Sequence, residues 1–230
     1  MKAVGFSVIM IGATGAVGGH VARALAGMPD VKRLTLLGRR PRADLSGHGI
    51  QQHIVDVLNV ASYERFLPGH EVAICTLGVG QPSRISMSDF VAIDKSAVLA
   101  FASSCKAAGI RHFELLGSVG ADPRSRSFYL RTKGELEDGL RALSFERLSL
   151  FRPSMILTPT NRYGLSQALT LVVWPWLRPL LAGGLRKYRG IEVERLGQAM
   201  AADTRRQGRG VEILHWDAID ALAREVDGQG

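Results

Sequence analysis

The sequence predicts an α/β protein built on a doubly wound parallel sheet, and three observations lead there. Short apolar runs alternate with segments of helical periodicity from the amino terminus to about Pro153. The first run, Val4 to Ile11, passes directly into a glycine-rich turn, Gly12-Ala-Thr-Gly15-Ala-Val-Gly18. That first run is largely apolar, as expected of a parallel strand covered on both faces.

Each element follows from local pattern. Val4 to Ile11 is the first strand, and Ala16 to Met28 the first helix, with Val17, Val21, Ala24, Leu25 and Met28 on one stripe. Pro29-Asp30 ends it. Leu34 to Leu37 is a second strand, followed by a polar loop from Arg39 to Gly49. Gln51 to Val55 is a third strand, Ala61 to Leu67 a short helix, and Glu71 to Leu77 a fourth strand. Met87 to Ala108 has a long helical pattern closed by Gly109. His112 to Leu116 is a fifth strand, Arg126 to Leu143 a helix, and Arg147 to Phe151 a sixth strand. Beyond Pro153 the alternation breaks down. The expectation is one domain over residues 1–230, in which 154–230 form a small substrate-side lobe with a last strand at Val211 to Leu214 and a last helix at Trp216 to Val226.

The glycine turn carries the chemistry. Gly12 permits a tight turn out of the strand, Gly15 permits close approach of a pyrophosphate, and Gly18 lets the helix pack against the sheet. Thr14, Ala16 and Val17 complete the turn, and the helix start offers free N–H groups and a positive dipole end to phosphate. This is the dinucleotide-binding start of a Rossmann fold. The second strand ends in Leu37-Gly38-Arg39-Arg40 with no carboxylate to hold a ribose 2′-hydroxyl. Guanidinium forks suit a 2′-phosphate, so the expected cofactor is NADP. Asp56-Val57, after the third strand, can meet the adenine, and Thr76-Leu77-Gly78, ending the fourth, can let the cofactor pass.

Tyr129 and Lys133 stand four residues apart and share a helix face. An ammonium beside a phenol stabilises phenolate, so the phenol can give a proton and recover it. Lys133 can also bond the nicotinamide ribose. Ser118, after the fifth strand, can hold a substrate oxygen as it gains charge.

Several stretches in combination resemble the atypical short-chain dehydrogenases/reductases and, within them, the Tat-interacting-protein oxidoreductase family. They are Ile11-GATGAVG-Gly19, Thr35-LLGRR-Pro41, His112-FELLGSVGAD-Pro123, Tyr129-LRTKGELE-Asp138 and Leu150-FRPSM-Ile156. The resemblance implies an NADPH-binding fold, a catalytic set of Ser118, Tyr129 and Lys133, and cofactor contacts from Pro153, Ser154, Met155 and Ile156. Two positions depart from the family pattern. Gly117-Ser118 stands where members often have two serines, and Asp94 takes the place of the asparagine found in many short-chain reductases. The family is known more for binding and regulatory roles than for one substrate.

The remaining features narrow the setting. The chain of 230 residues carries a formal charge of +8, with scattered arginines and no nucleic-acid motif, so a solvated basic face is expected rather than a nucleic-acid partner. Cys75 and Cys105 are too few for a disulfide framework and read as packing residues, which suits a reducing, cytoplasmic setting. The histidines show no metal-ligand spacing, and no metal is expected. The segment from Leu165 to Leu185 is apolar but interrupted by Pro175, Arg178 and Pro179, which allows peripheral membrane contact without a span. The partner is expected to be a small-molecule substrate, and the assembly a monomer or homodimer. Two functional readings stand: an NADP-dependent oxidoreductase on a small carbonyl or alcohol, or an NADPH-sensing regulator with little turnover.

Overall fold

The computed structural model describes residues 5–80, 84–158 and 183–227. Its strands are β1 (Phe6–Ile11), β2 (Val31–Gly38), β3 (Ile50–Ile54), β4 (Val72–Cys75), β5 (His112–Leu116), β6 (Arg147–Phe151), β7 (Ile156–Leu157), β8 (Ile191–Glu192) and β9 (Gly210–Leu214). Seven of them form one sheet in the order β3-β2-β1-β4-β5-β6-β9, and every pairing in it is parallel. The chain winds outward from β1 on one side and returns to place β4 on the other. That reversal opens a crevice at the carboxyl ends of β1 and β4.

Alternation along each strand divides the core between two faces. In β1, Val8 and Met10 join one cluster and Ile9 and Ile11 the other. In β4, Val72 and Ile74 face one way and Ala73 and Cys75 the other. Helix α1 (Ala16–Ala26) covers the first face together with α5 (Val193–Asp203) and α6 (Trp216–Asp227). The second face is covered by α2 (Met87–Val91), a π-helical turn (Ala92–Ala97), α3 (Val98–Ala107) and α4 (Phe128–Ala142). Both cysteines are buried there, and burial pushes the Cys75 thiol up to about 12. They are packing groups.

The structure differs from the expected elements in four places. The helix expected at 61–67 is two 3₁₀ turns, Val60–Ser62 and Glu64–Phe66. Local side chains take the backbone groups there: Asn59 accepts from Ala61 N, and Ser62 Oγ donates to the Asp56 and Asn59 carbonyls. The long helix expected at 87–108 is interrupted by the π turn. The fourth strand stops at Cys75, two residues short of the expected end, although Thr76 N still donates to Ile11 O at 3.0 Å. Finally, much of the chain beyond Pro153 continues the winding. α5 crosses α1 where a Cβ on Gly197 would stand 2.5 Å from His20 Cβ, and β9 extends the sheet beyond β6. Outside the main sheet stand the two-residue pair β7–β8 and a 3₁₀ segment, Gly183–Tyr188. Most of the apolar stretch expected at 165–185, including Trp174 and Trp176, lies outside the described residues. No helix among those described is long and apolar enough to cross a membrane.

Candidate functional site

The glycine turn closes β1 onto α1. Gly12 has φ +95°, the left-handed region, and a Cβ there would stand 2.6 Å from the Thr76 carbonyl carbon. A Cβ on Gly18 would strike the Gly12 carbonyl oxygen and stand 2.5 Å from Thr76 Oγ1. These two glycines are demanded by packing. Gly15 differs: a Cβ there would meet only Gly12 O, at 3.2 Å. Gly15 is also the N-cap of α1 and supplies no side chain to the first-turn N–H groups. The helix thus presents open donors and the positive end of its dipole.

Beside this turn lies a cleft of about 500 Å³. Gly15, Ala16, Val17 and Gly18 form one wall, Thr76 to Gly80 a second, and Leu116, Gly117, Tyr129, Lys133 and Ser154 a third. A shallow depression continues over the end of β2, lined by Thr14, Gly38, Arg40, Pro41 and Arg42. Arg39 and Arg40 are exposed and make no hydrogen bond or ion pair among the described residues. Arg42 is engaged: Nη1 donates to Ala13 O at 3.0 Å, and the guanidinium pairs with Asp44, whose carboxyl it holds down at about 2. A Cβ on Gly19 would collide with that guanidinium, so a second α1 glycine makes room for it.

The side of the cleft that carries Tyr129 and Lys133 is organised by α4. Tyr129 and Lys133 lie one turn apart, with Lys133 Nζ 5.9 Å from the centre of the tyrosine ring. Phe90 packs against the same ring at 5.6 Å between centroids. Lys133 is buried and donates to Asp94 Oδ1 at 2.6 Å, while Asp94 Oδ2 accepts from Val79 N at 2.7 Å. Asp94 sits in the π turn, and its neighbour Lys95 pairs with Glu135 at 2.7 Å. A π turn widens the helix locally, and here two successive residues reach α4 from it. The carboxylate therefore joins three elements: the loop after β4, the π turn and α4.

A second ion pair fixes α4 against the end of β6. Arg152 Nε donates to Glu137 Oε1 at 2.9 Å, its Nη2 meets Oε2, and Arg141 Nη2 joins Oε2 at 3.1 Å. Backbone bonds from Gly117 N to Phe151 O and from Val119 N to Pro153 O tie the loop after β5 to this segment. Tyr129 is thereby held at a fixed height over the cleft.

Comparison with known proteins agrees with the geometry. Residues 12–152, more than half of the chain, match a family model described as NAD(P)H-binding. The chain belongs to this NAD(P)H-binding family. The rat protein HTATIP2 is 32% identical over 225 residues, covering 96% of this chain and 91% of its own, which bears out the resemblance to the Tat-interacting-protein group. The mitochondrial protein fmp52 of Emericella nidulans is 32% identical over 155 residues, 65% of this chain and 66% of its own. Among solved structures, MoeE5 in complex with UDP-glucuronic acid and NAD superposes with TM-score 0.68 at 16% identity, covering 96% of this chain and 82% of that one. Uronate dehydrogenase from Agrobacterium tumefaciens gives 0.66 at 14% identity, covering 92% and 76%. These two share the fold.

For an NAD(P)H-binding protein the crevice fits the cofactor: an uncapped helix start, a glycine whose missing Cβ leaves the approach open, and a polar end at Lys133. The expected residues Gly15, Ala16, Val17, Gly18, Leu77, Gly78, Tyr129, Lys133 and Ser154 line the cleft together. Gly12 supports it from beneath. Others stand apart. Ser118 is not in the wall; its Oγ donates to Val119 O at 3.3 Å, and Gly117 faces the cleft instead. Asp56 Oδ1 accepts from Leu58 N at 3.0 Å as a turn cap, and Val57 is buried in the core. Pro153 and Met155 lie outside the wall, where Ile156 and Thr158 stand. Thr76, expected beside Leu77 and Gly78, lines the cleft with them, whereas the role of Arg42 was not foreseen. Arg42 sits in a loop without periodicity.

Proposed function

We propose that the protein is an NADP(H)-dependent oxidoreductase of a small carbonyl or alcohol, working in the cytoplasm with Tyr129 as acid and base. The observation that carries this reading is the joint placement of Tyr129, Lys133 and the open start of α1 around one cleft. Preference for NADP over NAD rests on two exposed arginines at the end of β2 and on the absence of a carboxylate between Leu37 and Arg40.

When bound, the cofactor supplies or accepts a hydride. The first turn of α1 holds phosphate through its N–H groups. Arg39 and Arg40, both exposed at the end of β2, would take the 2′-phosphate. Lys133 Nζ spends one N–H on Asp94 and keeps others for ribose hydroxyls. Tyr129 Oη, which has no hydrogen-bond partner among the described residues, holds the proton that a carbonyl oxygen takes up. Ser118 Oγ must turn from Val119 O to reach the same oxygen.

A second reading, an NADPH sensor with little turnover, is favoured by one feature. Asp94 neutralises the ammonium that would otherwise stabilise a phenolate at Tyr129. Tyr129→Phe separates the two. Under the first reading, NADPH oxidation with a panel of aldehydes and ketones falls by roughly 10²–10⁴-fold while cofactor affinity stays. Unchanged turnover in that variant contradicts the tyrosine's role. Absence of turnover in the parent protein, with tight NADPH binding, selects the sensor.

A further inference from the structure

We propose that His112, Glu114 and Asp203 bind one divalent transition cation of the Zn²⁺ class, at the end of the sheet opposite the cofactor crevice. His112 begins β5 and Glu114 lies two residues on, so both point to the face covered by α5. Asp203 is the last residue of α5. His112 Nε2 stands 3.5 Å from Asp203 Oδ2 and 3.9 Å from Glu114 Oε1. One donor atom from each residue lies within 4.8 Å of the others. Donors sharing a tetrahedral Zn²⁺ at ordinary bond lengths are about 3.4 Å apart, so small side-chain rotations close the set.

Glu114 is the member of the cluster that no cationic side chain bonds. Relative exposures are 6% for His112 and 0% for Glu114 and Asp203. Both Glu114 oxygens and Asp203 Oδ2 have no hydrogen-bond partner. A buried carboxylate in that state is costly unless it is neutralised. Both nearby guanidiniums reach the other Asp203 oxygen and Glu212: Arg147 Nη2 lies 2.9 Å from Asp203 Oδ1 and 2.6 Å from Glu212, and Arg206 Nη1 lies 3.4 Å from Asp203 Oδ1 and 3.0 Å from Glu212. Neither guanidinium bonds Glu114. Asp203 also stands at the negative end of the α5 dipole, which favours a cation. Ser149 Oγ, 3.0 Å from His112 Nε2, can turn its hydrogen to Asp203 and leave the imidazole lone pair for the ion. A hollow of about 350 Å³, lined by His112, Arg147 and Thr204, lies beside the cluster at His112. The role is structural: the ion would tie β5 to α5, residues that are far apart in sequence.

The test uses the full chain stripped with a chelator, dialysed against Zn²⁺ and assayed for bound metal and thermal unfolding. The expected result is one Zn²⁺ per chain and a raised Tm. Glu114→Gln, which conserves volume, should weaken Zn²⁺ binding by about 100-fold or more, beyond what loss of an outer-shell partner causes. Its NADPH-induced thermal shift should match the parent, which shows a folded crevice. In a parallel arm, Co²⁺ should give a visible absorption band that His112→Asn removes. No stoichiometric Zn²⁺ in the parent, or equal binding by Glu114→Gln, overturns the proposal and leaves a proton shared between Glu114 and Asp203 as the occupant.

Discussion

Lys133 Nζ and Asp94 Oδ1 lie 2.6 Å apart, and both side chains are buried beside the crevice. The carboxylate also receives Val79 N, so a single group orders the loop after β4 and neutralises the ammonium. Removing one partner of such a pair leaves the other charge buried. Asp94→Ala should therefore cost about 3–5 kcal/mol, read by urea unfolding, whereas Asp94→Asn, which still accepts one bond, should cost less. Equal stability of Asp94→Ala and the parent would show that the pair contributes nothing.

The three glycines of the turn should separate into two kinds. Gly18→Ala places its methyl against the Gly12 carbonyl and Thr76, a rigid neighbourhood, and should lose about 1–3 kcal/mol of stability. Gly15→Ala meets one backbone oxygen at 3.2 Å and should fold with nearly parental stability. Its methyl instead occupies the phosphate approach, so NADPH binding should fail. Thermal unfolding with and without NADPH reads both.

The arginines at the end of β2 should set cofactor choice. Arg39 and Arg40 are solvent-exposed, whereas Arg42 is tied to Ala13 O and Asp44. The double variant Arg39→Ala/Arg40→Ala should lower the NADPH-to-NADH affinity ratio by about tenfold or more, as one lost charge-assisted hydrogen bond implies. NADH affinity itself should hardly move. A ratio unchanged in that variant assigns the choice elsewhere.

Much of this was legible in the chain itself, for a physical reason. Strands buried on both faces leave unbroken apolar runs, so Phe6–Ile11 and Val72–Cys75 announce themselves and their order with the glycine turn implies the sheet. The tyrosine and lysine were legible because one helix carries both. What was hidden depends on contacts between distant residues. Nothing local tells that Asp94 would meet Lys133, or that the helix would open into a π turn to let it. Arg42 acquires its role only when Gly19 leaves space for the guanidinium. Helix α5 was obscured because Val193, Leu196 and Met200 follow a stretch without alternation, although their spacing is helical.

Acidification should destabilise the protein through its buried histidines. His70 Nδ1 donates to Leu67 O at 3.0 Å, and Nε2 lies 2.8 Å from Thr35 Oγ1 in a buried site that disfavours the charged ring. Burial holds its pKa below the ordinary 6.5, and His53 and His215 shift the same way for the same reason. The unfolded chain thus takes up protons first as pH falls. Stability is complete above pH 6.5 and declines as pH drops from there through the folded-state values. His70→Gln should flatten part of that slope in unfolding free energy measured against pH, and an unchanged slope would exclude His70 as a contributor.

The most direct measurement is a titration of the purified chain with NADPH, followed by fluorescence and thermal unfolding, beside Gly15→Ala. Saturable binding at one site with a raised Tm, lost in Gly15→Ala, is the predicted result. Absence of any change at millimolar NADPH, or equal binding by Gly15→Ala, would contradict it.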